Sequence, residues 1–157
     1  RGVARRQQLL GEPGGVAVVD DFAHHPTAVA GAIAALRSRY PQRRLWAVFE
    51  PRSNTSRRKV FQREYVDAFG GADAVVIGGV LRKQSDAVAE ADLFSPDQLA
   101  ADIAARGRQA TAIADPDEIA TTLARAARPG DVVLLMSNGS FGGVAAKLLA
   151  QLRNVEG

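Results

Sequence analysis

The sequence predicts an α/β domain of Rossmann-like, three-layer build: a mostly parallel sheet of five or six strands with helices on both faces. Three observations carry this. Several runs are apolar at every position rather than at alternate ones, including Val16-Ala17-Val18-Val19, Leu45-Trp46-Ala47-Val48-Phe49 and Val132-Val133-Leu134-Leu135-Met136. Runs of this kind suit strands buried on both faces. Stretches of helical periodicity separate them, which is the order of repeated βα units. The most polar or glycine-rich loops each follow one of these strands, at the edge where open α/β sheets bind ligands.

Taken in order, Val16–Asp20 reads as the first strand and the Ala-rich Thr27–Arg39 as the first helix. Arg44–Phe49 is the second strand. Ser56–Phe69 reads as a helix, because Val60, Phe61, Tyr65, Val66 and Phe69 recur at helical spacing. Ala74–Ile77 is the third strand, closed by Gly78-Gly79. Residues 80–94 are mixed and charged and receive no assignment. Ser95-Pro96 opens a helix, Ser as the cap and Pro at the first helical position, and Gly107 ends it after about Arg106. Ala110–Ala114 is the fourth strand, and Asp115-Pro116 starts a helix to about Ala127. Pro129-Gly130-Asp131 turns into the fifth strand, Val132–Met136, and Ser137–Gly143 is a glycine-rich loop before the last helix, Gly143–Leu152. Residues 1–157 read as one domain, with 1–14 as a linker from a preceding domain. The start at Arg1-Gly2-Val3, without Met, suggests a piece of a longer protein.

A chain of 157 residues, 46% hydrophobic and 24% charged, has enough material for its own core. It has no cysteine, so disulfides and thiolate metal sites are excluded and a reducing compartment is compatible but not proven; the expected setting is cytoplasmic. No apolar stretch reaches membrane-spanning length. The net charge is only +3, with 17 Arg and 3 Lys scattered and not interleaved with aromatics, so neither nucleic acid nor a membrane is expected as a partner.

Three loops carry candidate chemistry. The first is Asp20-Asp21-Phe22-Ala23-His24-His25-Pro26-Thr27. An Asp at a strand's carboxyl end often accepts from a ribose hydroxyl, and His24 and His25 can bond a base, a phosphate or a carboxylate. Equally, Asp20, Asp21 or Thr27 can serve only to cap the next helix. A metal site is not expected, since adjacent histidines diverge and no third ligand is near. The second loop, Glu50-Pro51-Arg52-Ser53-Asn54-Thr55-Ser56-Arg57-Arg58, has guanidinium groups suited to bidentate carboxylate binding. Its bland reading is a helix cap with solvated arginines, although positive charge there opposes the helix dipole. The third, Ser137-Asn138-Gly139-Ser140-Phe141-Gly142-Gly143, offers glycines and a helix start to an anion. It lacks the Gly-Lys-Ser/Thr ending of a P-loop, and a tight turn explains its glycines equally well. No nucleophile elbow and no dinucleotide fingerprint occurs.

Read together, the three loops resemble the C-terminal domain of the Mur ligase family, which makes amide bonds in peptidoglycan precursors with ATP. Asp21-Phe22-Ala23-His24-His25-Pro26 is similar to an Asp-x-Ala-His-x-Pro segment shared with folylpolyglutamate synthases, with Phe22 in place of a common Tyr, and Arg6 stands where the family has a linker arginine. The resemblance covers the whole chain and is weakest over residues 80–110. Within the family the loops look most like those of the member that rejoins recycled L-alanyl-γ-D-glutamyl-meso-diaminopimelate to UDP-N-acetylmuramate. The member that adds L-alanine usually has a Gln-Pro-His-Arg-Tyr-Thr-like loop, absent here.

The resemblance implies an acyl phosphate formed from ATP on UDP-N-acetylmuramate and attacked by the amine of the muropeptide. It implies ATP and Mg²⁺ as cofactors, held mainly by a central domain that carries the P-loop. The chain's own N-terminal and central domains are then its partners, and the isolated domain is expected to be inactive. Carried over, Arg6 contacts the phosphates, Asp21 the ribose region, and His24 and His25 line the same cleft. Arg52, Asn54, Ser137, Asn138 and Ser140 face the peptide. None of these residues is implied to be catalytic or metal-binding. The alternatives are the L-alanine-adding ligase and a stand-alone Rossmann-like binding module.

Overall fold

The computed structural model describes residues 7–51, 62–79, 95–137 and 139–156. Six strands form one sheet: β1 (Gln8–Gly11), β2 (Ala17–Asp21), β3 (Leu45–Phe49), β4 (Ala74–Ile77), β5 (Gln109–Ala112) and β6 (Val132–Met136). The helices are α1 (Pro26–Arg39), α2 (Gln62–Ala68), α3 (Pro96–Ala104), α4 (Pro116–Ala126) and α5 (Val144–Glu156). The strand order is β1-β2-β6-β3-β4-β5, and only β1 runs antiparallel to its neighbour.

The unbroken apolar runs arise because alternate residues of each strand serve different layers. Ala17, Val19, Leu45, Ala47, Phe49, Val75, Ile77, Val132, Leu134 and Met136 point to one face. There they meet Val29, Ile33 and Leu36 of α1, Tyr65 of α2, and Leu99 and Ile103 of α3. Val18, Trp46, Val48, Val76, Val133 and Leu135 point to the other, onto Ile119 and Leu123 of α4 and Val144, Leu148 and Leu152 of α5. Each fully buried Leu, Ile or Val removes enough apolar surface from water to contribute about 1.5–3 kcal/mol, so both layers are needed.

The predicted elements are present to within a few residues. Ser95 caps α3 by accepting from the Gln98 N–H (3.1 Å), and Asp115 caps α4 by accepting from the Asp117 N–H (3.3 Å). Two readings differ, the linker and the cap of α1, and one lies partly outside the described residues. The predicted linker over residues 1–14 overlaps β1, and a 3-10 turn at Pro13–Gly15 follows it. β1 exists because the outer edge of β2 is open to pairing; alone, Gln8-Leu9-Leu10-Gly11 has no strong strand signal, and Leu9 stays exposed. The helix expected over Ser56–Phe69 is seen as α2 from Gln62, with a 3-10 turn at Phe69–Gly71; residues 56–61 lie outside the described residues. The cap position of α1 is His25, whose side chain makes no capping bond, and Thr27 lies inside the helix, so neither Asp nor Thr caps it.

The two edges of the sheet differ. At the amino edge Arg43 donates to the Gly130 carbonyl (2.5 Å), the Gly15 carbonyl (3.2 Å) and Glu12 (2.9 Å). Trp46 Nε1 donates to Asp131 there (3.0 Å). That edge is closed by its own bonds. The carboxyl edge holds the topological switch: β2 and β3 lead into α1 and α2 on one face, while β6 between them leads into α5 on the other. Crevices therefore open on both sides of the end of β6. No helix among the described residues is long and apolar enough to cross a membrane.

Candidate functional site

β2, β6 and β3 end side by side, and their last residues are tied together. The Ser137 N–H donates to the Asp21 carbonyl (3.2 Å), the Glu50 N–H to the Met136 carbonyl (3.0 Å) and the Gly78 N–H to the Phe49 carbonyl (2.8 Å). Asp21, Glu50 and Ser137 are all buried. Three polar side chains at one edge of an otherwise apolar sheet are unusual for a core, and each has a specific partner.

The Asp21 carboxylate accepts from two main-chain N–H groups, Ala23 at 2.7 Å and Gln7 at 3.0 Å. The first shapes the turn out of β2. The second fixes the segment that leads into β1, where Gln7 has a φ of 54°, a region that side-chain-bearing residues rarely occupy. Around this carboxylate is a cavity of about 440 Å³, lined by Gln7, Asp21, Phe22 and His24 with Ala28 and Gly31 of α1. Small residues on the first turns of α1 give it room. Phe22 is 43% exposed and presents a flat apolar surface. Its ring stands edge-on to His24, with centroids 6.1 Å apart. The His24 Nδ1 lies 3.2 Å from the Phe22 carbonyl, and the His25 ring is 4.8 Å from that of His24. His25 is exposed.

Ser137 faces inward. Its hydroxyl donates to Glu50 Oε1 (2.5 Å) and accepts from the Gly139 N–H (3.0 Å). Ser140 is exposed beyond the turn. In the turn itself Phe141, Gly142 and Gly143 all have positive φ (52°, 59° and 78°). A Cβ on Gly142 would lie 2.4 Å from Pro116 Cγ, so the glycine is required by close packing on the start of α4 as well as by its backbone. The tight-turn reading of this loop therefore has a concrete basis.

Of the residues singled out from sequence, Asp21 and His24 line one cavity, His25 flanks it, and Ser137 follows directly on β6. Arg6, Arg52, Asn54 and Asn138 lie outside the described residues. Glu50 was missed as an individual residue, although an acid closing an apolar strand at this edge is a readable signal. Among the described residues no group of three or more His, Asp or Glu side chains is placed to hold a metal ion. The geometry offers a concave, partly aromatic surface with imidazole and carboxylate groups, suited to binding and covering a polar ligand. Beside it the buried Asp21 carboxylate and Ser137 hydroxyl accept from main-chain N–H groups, and the Glu50 carboxylate accepts from Ser137.

Residues 5–139 match the glutamate ligase domain of the Mur ligases. The chain is 40% identical over 148 residues to the UDP-N-acetylmuramate–L-alanyl-γ-D-glutamyl-meso-2,6-diaminoheptandioate ligase of Escherichia coli, covering 92% of this chain and 29% of that protein. It is 37% identical over 162 residues to the UDP-N-acetylmuramate–L-alanine ligase of Verminephrobacter eiseniae, covering 99% of this chain and 33% of that one. A crystal structure of a murein peptide ligase from Psychrobacter arcticus superposes with a TM-score of 0.80 at 28% identity, covering 96% of this chain and 30% of that one. The chain thus spans about a third of the length of these relatives.

Proposed function

The chain belongs to the Mur ligase family as its C-terminal domain, and we propose that it closes over the nucleotide and presents the acceptor amine in a larger peptidoglycan ligase. The observation that carries this reading is the cavity at the switch edge, lined by Gln7, Asp21, Phe22 and His24. In the reaction we propose, ATP phosphorylates the lactyl carboxylate of UDP-N-acetylmuramate. The amine nitrogen of L-alanyl-γ-D-glutamyl-meso-diaminopimelate then attacks the acyl carbon, and phosphate leaves. Residues 1–157 act as one domain in this scheme, joined by their leading segment to N-terminal and central domains, in the cytoplasm.

Mg²⁺ is assigned in this reading to the central domain with the P-loop, and no step here passes through it. Asp21 holds the Gln7 main chain, and Arg6 is assigned to the phosphates. His24 and His25 line the nucleotide side, and Arg52, Asn54, Ser137, Asn138 and Ser140 the peptide side. Ser137 acts there by fixing the turn, because its hydroxyl is directed at Glu50 and Gly139.

A full-length enzyme carrying this domain should release phosphate when given ATP, UDP-N-acetylmuramate and the tripeptide, and much less with free L-alanine. The 157-residue chain alone should do neither, since closure over a second domain is needed to complete the site. Preference for L-alanine would favour the second reading, which the 37% identity to the L-alanine ligase supports. Turnover by the chain alone would sink both.

A further inference from the structure

Tyr65 is fully buried on α2, with its ring 5.1 Å from that of Phe49 and in the same cluster as Phe69. Shape alone would be met by a third phenylalanine. The hydroxyl has a purpose: it donates to the main-chain carbonyl of His24. The helix ladder of α1 does not use that carbonyl, because its first bond runs from the Val29 N–H to the His25 carbonyl (2.8 Å). Within the turn, the Ala23 N–H donates to Asp21 and His24 bonds the Phe22 carbonyl, both local contacts. The Tyr65 bond joins the turn to another element, 41 residues further along the chain. One phenol therefore connects the histidine turn to α2.

We propose that Tyr65 is a positioning residue of the ligase site: its hydroxyl fixes the main chain at His24 and so aims the His24 imidazole and the Phe22 ring into the cavity. This rests on the reading that the cavity belongs to the substrate cleft. Tyr65 does not touch the ligand. It acts through His24, at a site whose geometry tolerates little displacement.

The test is a double-mutant cycle in the full-length ligase with Tyr65→Phe, His24→Ala and both together. Tyr65→Phe should lower kcat/KM about tenfold, and in the His24→Ala background it should change it less than about twofold. Equal losses in both backgrounds, or unchanged kinetics in Tyr65→Phe, would overturn the proposal. Ile33→Val, a truncation in the same core cluster, is the stability control: it should lower Tm and leave kcat/KM alone. If it reproduces the kinetic loss, the effect is core softening and the proposal fails. NMR of the 157-residue chain separates this inference from the ligase reading. The chain has two histidines, so the His24 and His25 ring signals are assignable from single variants. Tyr65→Phe retains the aromatic ring and should shift the His24 signals more than those of His25. Unmoved His24 signals would reject the positioning role whatever the enzyme's substrate, while a failed ligation assay with shifted signals would reject only the ligase reading.

Discussion

Replacing Ser137 by alanine tests whether this residue holds the site together or faces the substrate. The hydroxyl donates to Glu50 Oε1 at 2.5 Å and accepts from Gly139 N at 3.0 Å, and Ser137 and Glu50 are 2% and 5% exposed. Removing a hydrogen bond to a carboxylate costs about 1.5–3 kcal/mol, and losing the acceptor for one N–H adds about 0.5–1.5 kcal/mol. The expected destabilisation of Ser137→Ala is therefore about 2–4 kcal/mol. For a domain of this size each kcal/mol moves Tm by about 2–4 °C, so the fall should be about 5–15 °C. The assay is thermal unfolding of the 157-residue chain by circular dichroism or calorimetry, repeated with Glu50→Gln. In the Glu50→Gln background the bond is to a neutral acceptor, so Ser137→Ala should cost at least about 1 kcal/mol less. A Tm within about 1 °C of the parent would refute the brace, and so would an equal loss in both backgrounds. A raised acceptor KM with unchanged Tm would instead place the hydroxyl on the substrate.

Gly142→Ala should destabilise by about 2–4 kcal/mol, combining left-handed backbone strain with overpacking against Pro116. Gly130→Ala, at a φ of 100° with nothing within 4 Å of the added Cβ, should show the strain alone; equal melting shifts would show that the contact with Pro116 is harmless. At Asp73, burial alone would raise the pKa, but the hydrogen bonds from Arg37 and the Leu45 N–H and the charges of Arg37 and Arg108 outweigh it and hold it below 3.8. Its folded pKa is thus depressed, and its contribution is complete above 3.8 and lost as pH falls through the lowered value. The stability gap between the parent and Asp73→Asn should be level from about pH 5 to 7 and close in more acid solution. Because the side chain is 44% exposed, the gap should stay under about 1 kcal/mol; urea titrations at several pH values check this, and a gap that widens in acid would contradict it. Asp21→Ala in the full-length enzyme should raise the ATP KM or lower kcat, and unchanged kinetics would remove Asp21 from the site.

Much of the fold was legible because the signals are local. Val132 to Met136, apolar at every position and bounded by turn residues, reads as a strand with both faces covered, and Ser95-Pro96 and Asp115-Pro116 announce their helices through the caps they form. β1 was not legible, because a four-residue edge strand with an exposed Leu9 depends on the open side of β2. The candidate site was half legible. The histidine turn stands out by composition, and parallel strands bring its loop to the same edge as the glycine-rich one. The uses of its side chains did not show: that Asp21 braces the Gln7 main chain, and that the Tyr65 hydroxyl reaches the His24 carbonyl, are recorded in no local pattern.

The sequence by itself determined a parallel α/β layer structure and the edge at which its polar loops gather, since periodicity and chain reversal are encoded within a few residues. Only the tertiary structure decided that β6 lies between β2 and β3. It also decided that Ser137 turns inward to Glu50, 87 residues away, and that His24 is held from α2. Those partners are selected by how two layers of side chains pack across the sheet, and no local pattern records that choice.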